Sequence, residues 1–258
     1  MNRLRSGPLA AWASSWLAGI AAADEVLRAT TGDDAPHAVA GLRSSNGEYA
    51  ALTEVLIAWR RAGAPVRLVL PIPGDVRGVP GPAEFRTAAL DVGEAVFGGG
   101  IGLVPTVIDR APSSAPVSVI WHAFEVQPAP LDYLAVADAQ QELTAAIRDS
   151  ASALAAADVA GWAGGARAGA GGAGELASSL SQARRSGERV NLPPRFPSPA
   201  VALVAQAERL QAVLELAAAD ATGGAIDRVG IAARSAALRP LLTAVRRARL
   251  AGYNAGTN

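Results

Sequence analysis

The chain contains no cysteine, its 23 basic residues are all arginine, and only 5% of its 258 residues are aromatic. The lack of cysteine excludes disulfides, thiolate nucleophiles and thiolate-bound metals. The lack of lysine excludes Schiff-base chemistry, pyridoxal-phosphate attachment and a P-loop lysine. A cysteine-free composition fits a reducing compartment, and we predict a cytoplasmic location.

Long apolar runs are also missing, because no stretch reaches the roughly 18 apolar residues of a membrane span. Residues 9–23 come nearest, and two preceding arginines give them the outline of an export signal. Their bulky side chains instead recur at steps of three and four, which indicates a helix with one buried face. We therefore predict a folded helix over 8–29 and no membrane contact. Removal of residues 1–23 on export is the alternative.

The charges balance, with 23 basic and 23 acidic residues, so nothing global favours nucleic acid. They are unevenly distributed, since acidic residues predominate over 31–160 and arginine over 161–258. Arg239, Arg246 and Arg247 recur along the last predicted helix. They form a candidate surface for an anionic partner, and the solvated side of an amphipathic helix is the alternative that we favour.

Strands are predicted at 66–72, 101–108 and 116–126, the last two joined as a hairpin. Both faces of the last strand are apolar, which indicates a central strand that is covered on both sides. A helix over 82–97, ended by the glycines that follow, leaves room for a parallel crossover from the first strand to the second. The predicted fold is α+β, a small three-stranded mixed sheet packed against alanine-rich helices.

The second half of the chain has the pattern of helices only. We predict an α/β core over 1–160, a Gly/Ala-rich linker over 161–174, and a helical segment over 175–258 that packs on the core. The linker contains a G-x-G-x-x-G spacing, but it follows a helix and not a strand, so we predict no nucleotide there and no cofactor elsewhere.

The loop over 73–81 is the best candidate for a ligand site. It follows a strand and leads into a helix N-terminus, where free N–H groups can bind an anion. Arg77, with Asp75 to orient it and Arg86 on the following helix, could hold a small anionic ligand. The alternative, which we favour, is that Asp75 and Arg77 pair with each other or cap that helix.

The two histidines are weaker candidates. His122 shares an apolar strand face with its neighbours, which is typical of a packed core histidine, and a role in ligand binding is the alternative. His37 lies near Asp33 and Asp34, but with two histidines in the chain we predict no metal site. The predicted helix at 82–97 also carries an acidic group that includes Glu94, which we interpret as a solvated face.

Three segments have a distinctive composition: the tryptophan-bearing stretch at 11–19, the Gly/Pro loop at 74–82, and the Leu-Pro-Pro sequence at 192–194 together with residues 207–210 of the following helix. Through these segments the chain resembles conserved proteins of unassigned function from high-GC, actinomycete-type bacteria. The resemblance implies a cytoplasmic protein and assigns no catalytic residues.

These observations predict a non-enzymatic interaction or regulatory protein that self-associates as a homo-oligomer or binds a protein partner. The basis is the poverty of reactive groups beside an abundance of amphipathic helices. One alternative is a small-ligand binder or enzyme that uses the strand, loop and helix over 73–86. A second is nucleic-acid binding through the arginine-bearing C-terminal helix.

Overall fold

The structure is a computed structural model that describes residues 3–44, 47–108, 118–127, 132, 134–161, 190–220 and 228–257. The chain forms two compact units. The sheet unit comprises Asn2–Tyr133, Asn191–Pro197 and Tyr253–Asn258, and the helical unit comprises Leu134–Val190 and Ser198–Gly252 with Met1. Within the described ranges no helix combines the length and the apolar character needed to cross a bilayer.

The sheet unit is built on a six-stranded mixed sheet with the strand order β2-β1-β6-β5-β4-β3. The strands are β1 (Ala38–Ser44), β2 (Gly47–Ala51), β3 (Arg67–Val69), β4 (Ala95–Gly98), β5 (Ile101–Ile108) and β6 (Ser118–Glu125). Neighbours are antiparallel except β1 and β6, which are parallel. The α+β class and the β5–β6 hairpin are confirmed, and the predicted count of three strands is wrong because the shorter strands were missed.

The predicted crossover is wrong as well. Helix α4 (Ala83–Val92) ends at Gly93, and the residues after it form β4, which is antiparallel to both β3 and β5. The glycine run expected to end a helix instead turns the chain between two strands. Gly99 and Gly100 have φ values of 51° and 84°, the positive angles that a tight two-residue hairpin demands at both central positions.

The N-terminal segment forms two helices and not the single one predicted. Helix α1 (Ser6–Leu17) buries Leu9, Trp12 and Trp16, and helix α2 (Ala23–Thr31) follows after a turn. Helix α3 (Leu52–Ala62) directly follows β2, which occupies Gly47–Ala51, and ends at Gly63, whose φ is 64°.

The two faces of the sheet differ in what covers them. One face buries Val39, Leu103, Val119 and Trp121, each exposed by 1% or less, and α1 and α3 contact this side. On the other face α4 packs Phe85 against Val69, Ala95 and Val104, and the Phe85 ring meets Phe124 edge-on at 5.6 Å between centroids.

In the described residues the helical unit consists of α5 (Val136–Gly161), α6 (Ser198–Asp220) and α7 (Arg228–Tyr253). A short 3₁₀ helix (Asn254–Thr257) follows and belongs to the sheet unit. The core of the helical unit combines small and branched side chains, among them Ala139, Leu143, Leu203, Ala207, Val245 and Ala248. Such small residues let helix axes approach closely. Apart from Gly161, the predicted linker lies outside the described residues, so its role as a linker stays a prediction.

Candidate functional site

One half of the α4 side of the sheet is only partly covered. The register places Tyr49 on β2, Ala40 on β1 and His122 on β6 side by side, with Ala51, Ala38 and Ile120 in the next row. Side chains that are direct partners point to the same face. Tyr49 is 47% exposed and His122 and Ala51 are also exposed, while Ala38, Ala40 and Ile120 are half-buried. We call these six residues the open face.

His122 is therefore not the packed core residue that was predicted. The prediction assumed a small sheet fully covered by helices. The sheet is twice as wide, and the α4 cluster of Phe85, Val104 and Phe124 lies toward the β5 side of His122. A strand with two apolar faces can therefore be buried on one and exposed on the other.

The two ends of the sheet are treated differently. At the β3 end, the Asn254 side chain imitates a neighbouring strand: Leu68 N donates to Asn254 Oδ1 at 2.8 Å, and Asn254 Nδ2 donates to Leu68 O at 3.1 Å. At the opposite end lies β2, whose only strand partner among the described residues is β1. The Asn254 amide thus occupies backbone groups at the β3 edge that could otherwise pair with another strand.

A polar network is buried on the helix-covered side of β6. Arg5 Nε and Nη2 donate to the two carboxylate oxygens of Asp34 at 2.8 and 3.2 Å. His37 Nε2 lies 3.3 Å from Asp34 Oδ2, and Trp121 Nε1 donates to His37 Nδ1 at 3.1 Å. The side chains of Arg5, Asp34 and His37 are only 6%, 9% and 2% exposed. This chain of contacts joins the N-terminal segment to the central strand.

The hydrogen bonds of this network determine the protonation states of His37 and Asp34. Because Nδ1 of His37 accepts a hydrogen bond, the proton of the neutral ring resides on Nε2 and is donated to Asp34. Burial lowers the pKa of His37, and this outweighs the opposing effect of Asp34. Burial would raise the pKa of Asp34, but the hydrogen bonds and charge of Arg5 and the His37 hydrogen bond together lower it. The neutral histidine and the ionised carboxylate are thus the stable forms.

Both ring nitrogens of His37 are engaged, which leaves no lone pair facing Asp33 and Asp34 for a metal. Across the described ranges, no cluster of three or more histidine or acidic side chains is arranged to hold a metal ion.

Glu94 was predicted to lie on a solvated face and is instead 6% exposed. Its Oε2 accepts hydrogen bonds from Ser6 N at 2.7 Å and Arg5 N at 3.0 Å, at the first turn of α1. A carboxylate there satisfies free N–H groups and complements the helix dipole. Helix α1 is thus capped by a residue far away in sequence, and no local pattern reveals such a cap.

The structure brings Asp75 and Arg77 together. Arg77 Nε and Nη2 donate to the two oxygens of Asp75 at 2.8 and 2.9 Å, the pairing favoured as the alternative to a ligand site. Arg86 is exposed on α4, and His122 lies on the open face. Ligand binding by the loop stays a prediction, and a ligand there has to compete with a bidentate ion pair.

The arginines of α7 make similar pairs within the helical unit. Arg247 Nε and Nη2 donate to the carboxylate of Glu142 on α5, and Arg249 Nε donates to Glu208 on α6. Arg239 is exposed. Part of the charge of the predicted basic surface is thus neutralised by neighbouring helices, and binding of an anionic partner stays a prediction.

A cavity of about 370 Å³ lies where α1 and α3 end, beside the 3₁₀ helix. Arg60 forms part of its wall, with its guanidinium 3.7 Å above the Trp16 ring and one N–H donated to Trp16 O. These contacts keep the Arg60 guanidinium against Trp16, in the wall of the cavity. None of the predicted site residues lines this cavity.

These features define a two-unit α+β protein with buried structural ion pairs and one exposed sheet face. The chain belongs to the Rv1486c-like family: the family's N-terminal domain matches residues 6–134 and its C-terminal domain matches residues 137–250. The boundary falls where the chain enters the helical unit at Leu134. The predicted resemblance to an actinobacterial family of unassigned function is confirmed.

The relatives are mycobacterial and are described as uncharacterised. Rv1486c of Mycobacterium tuberculosis is 29% identical over an alignment that spans 96% of this chain and 95% of the relative. ML1804 of Mycobacterium leprae is 28% identical, with the same coverage of both chains. No solved structure matches the chain.

Proposed function

We propose that this chain is a non-enzymatic interaction protein that self-associates through the open face. The observation that carries the proposal is the exposure of Tyr49 and His122, which flank the half-buried Ala40 on one face of the sheet. Tyrosine contributes a large contact area at a low entropic cost, which is why aromatic residues are enriched in interfaces.

Charge favours the same interpretation. The open face contains no arginine and no acidic side chain, so little desolvation of ions opposes a contact. The whole chain has a formal net charge of zero, so two copies do not repel each other by net charge.

The candidate reactive groups also support an interaction role over catalysis. Asp75 with Arg77, and Arg247 with Glu142, bind each other bidentately. His37 has both ring nitrogens occupied by Asp34 and Trp121. A catalytic acid or base needs a free position directed at a substrate, and these contacts occupy such positions.

The experiment is size-exclusion chromatography with light scattering on the full chain at tens of micromolar concentration. We expect an oligomer that His122→Asp weakens by at least tenfold in dissociation constant, because the substitution places a carboxylate in the contact. The matched control is Ile57→Asp on α3, where Ile57 is 48% exposed. A strictly monomeric wild type contradicts the proposal.

A further inference from the structure

We propose that the cavity at the C-terminal ends of α1 and α3 is a binding site for a small organic anion, whose carboxylate or similar oxyanion group pairs with Arg60. The observation that carries the proposal is one cationic side chain in the wall of a cavity of about 370 Å³, with no acidic residue among the described residues that line it. No residue of the open face lines this cavity, so the site is separate from the proposed contact for self-association.

The cavity has the size and the lining of a small-molecule site. Pockets that bind small molecules typically enclose about 300–1,000 Å³ and are lined mainly by apolar groups, with a few polar groups that orient the ligand. Here Leu17, Ala18, Ala64 and Pro65 contribute apolar surface, and Arg60 contributes the charge. This lining suits a ligand with an apolar body and one anionic group.

Arg60 is held in place by contacts that leave most of its donors available. The guanidinium carbon lies 3.7 Å from the centroid of the Trp16 ring, and Nη2 donates to Trp16 O at 2.9 Å. The ring covers one face of the guanidinium, whereas its five N–H donors lie in the plane of the group. Within the described part of the chain, the side chain makes this one hydrogen bond. Further N–H groups therefore remain for an oxyanion, which arginine can bind bidentately.

The charges around the cavity favour an anion over a cation. The C-terminal ends of α1 and α3 each carry a partial negative charge of about half an elementary charge. Arg60 and Arg61, both in the last turn of α3, more than offset it. At the end of α1, Gly19 N donates to Trp16 O and Ile20 N donates to Ser15 O, so these carbonyls are already engaged. The local balance of charge is therefore positive.

The test uses two probes of similar shape that differ in charge, naphthoate and the neutral naphthamide. We expect the full chain to bind naphthoate at least tenfold more tightly in isothermal titration calorimetry, because only a carboxylate forms charge-assisted hydrogen bonds with Arg60. Arg60→Met keeps an apolar side chain at this position and should remove the preference. Arg61→Met is the matched control and should retain it, because Arg61 is the adjacent exposed arginine and does not line the cavity.

A second variant tests the cavity itself. Ala64→Phe adds a ring at the cavity wall and leaves Arg60 in place, so naphthoate should lose at least tenfold in affinity. Circular dichroism and thermal unfolding verify that each variant is folded. The proposal is overturned if wild-type protein shows no saturable binding of naphthoate at millimolar concentration, or if Arg60→Met binds it as tightly as wild type. Neither result affects the proposed self-association, which light scattering measures separately.

Discussion

Trp121 donates its indole N–H to Nδ1 of His37 at 3.1 Å, so a central strand holds a buried histidine in its neutral form. The bond accounts for one ring nitrogen, and Asp34 accounts for the other. The N-terminal segment joins this network through Arg5, which links residues distant in sequence around one imidazole.

Removal of the Trp121 indole N–H should leave Nδ1 of His37 free to accept a proton. In Trp121→Phe the Nδ1 lone pair loses its partner and can accept a proton, so we expect the pKa of His37 to rise and the free energy of unfolding to fall by about 1–3 kcal/mol. The measurement is a pH titration of the histidine ring signals by NMR. The chain has two histidines, and a His122→Asn variant assigns the ring signal that belongs to His37. An unchanged His37 titration contradicts the assigned bond.

Stability should fall as the solution is acidified below about pH 6.5, the ordinary pKa of histidine. Burial lowers the folded-state pKa of His37 below its ordinary value of 6.5. Between the two values the unfolded chain binds the extra proton, so the free energy of unfolding decreases by up to about 1.4 kcal/mol per pH unit on acidification. Urea denaturation across this range measures the slope. His37→Asn should flatten it, whereas the slope should persist in His122→Asn.

Substitutions of Arg5 and Asp34 should have strongly non-additive effects on the free energy of unfolding. Asp34→Ala leaves a buried guanidinium without its carboxylate and should cost about 3–5 kcal/mol, whereas the double variant Arg5→Met with Asp34→Leu should recover much of that loss. A double-mutant cycle by chemical denaturation measures the coupling. Arg77→Met is the exposed comparison, because Arg77 is 58% exposed, and should cost at most about 1 kcal/mol. Additive effects at Arg5 and Asp34 contradict the pairing.

Glu94 should matter to the start of α1. Glu94→Ala removes the acceptor for Ser6 N and Arg5 N, and we expect a loss of about 1–3 kcal/mol, because buried N–H groups are left without a partner. Glu84→Ala, an exposed glutamate in the first turn of α4, is the matched control. Equal losses in the two variants, measured by thermal or urea unfolding, argue against the cap.

A larger residue at Gly252 should destabilise the helical unit. A Cβ atom at this position meets Val204 Cγ2 of α6 at a distance that real contacts do not show. Gly252→Ala should therefore destabilise the helical unit by about 1–3 kcal/mol through overpacking. Leu242→Ala, at a 44% exposed position of the same helix, should change stability by no more than about 0.5 kcal/mol. Hydrogen exchange of α6 and α7 amides localises the effect.

Local patterns were enough for the elements that depend on neighbouring residues. The β5–β6 hairpin and the central place of β6 follow from the spacing and apolar character of the strand residues, and the structure confirms them. The pairing of Asp75 with Arg77 was also accessible, because the two residues are close in sequence.

The short strands could not be predicted from local sequence patterns. β1 and β2 carry glycine and alanine and have weak strand propensity, and β1 forms by lying parallel to β6, about eighty residues later. Because pairing with β6 stabilises β1, the amino-acid pattern of β1 alone does not predict a strand. The same reason explains the exposure of His122, since its surroundings depend on how far a wider sheet extends beyond α4.

The amino-acid sequence by itself determined the α+β class, the exclusion of thiol and lysine chemistry and the main hairpin, because these follow from composition and from neighbouring residues. Only the tertiary structure decided that Arg5, Asp34, His37 and Trp121 form one network, that Glu94 caps α1 and that Asn254 closes one sheet edge. Each of these contacts joins residues far apart in the chain, and the free energy that selects them comes from satisfying buried polar groups that only the folded chain brings together.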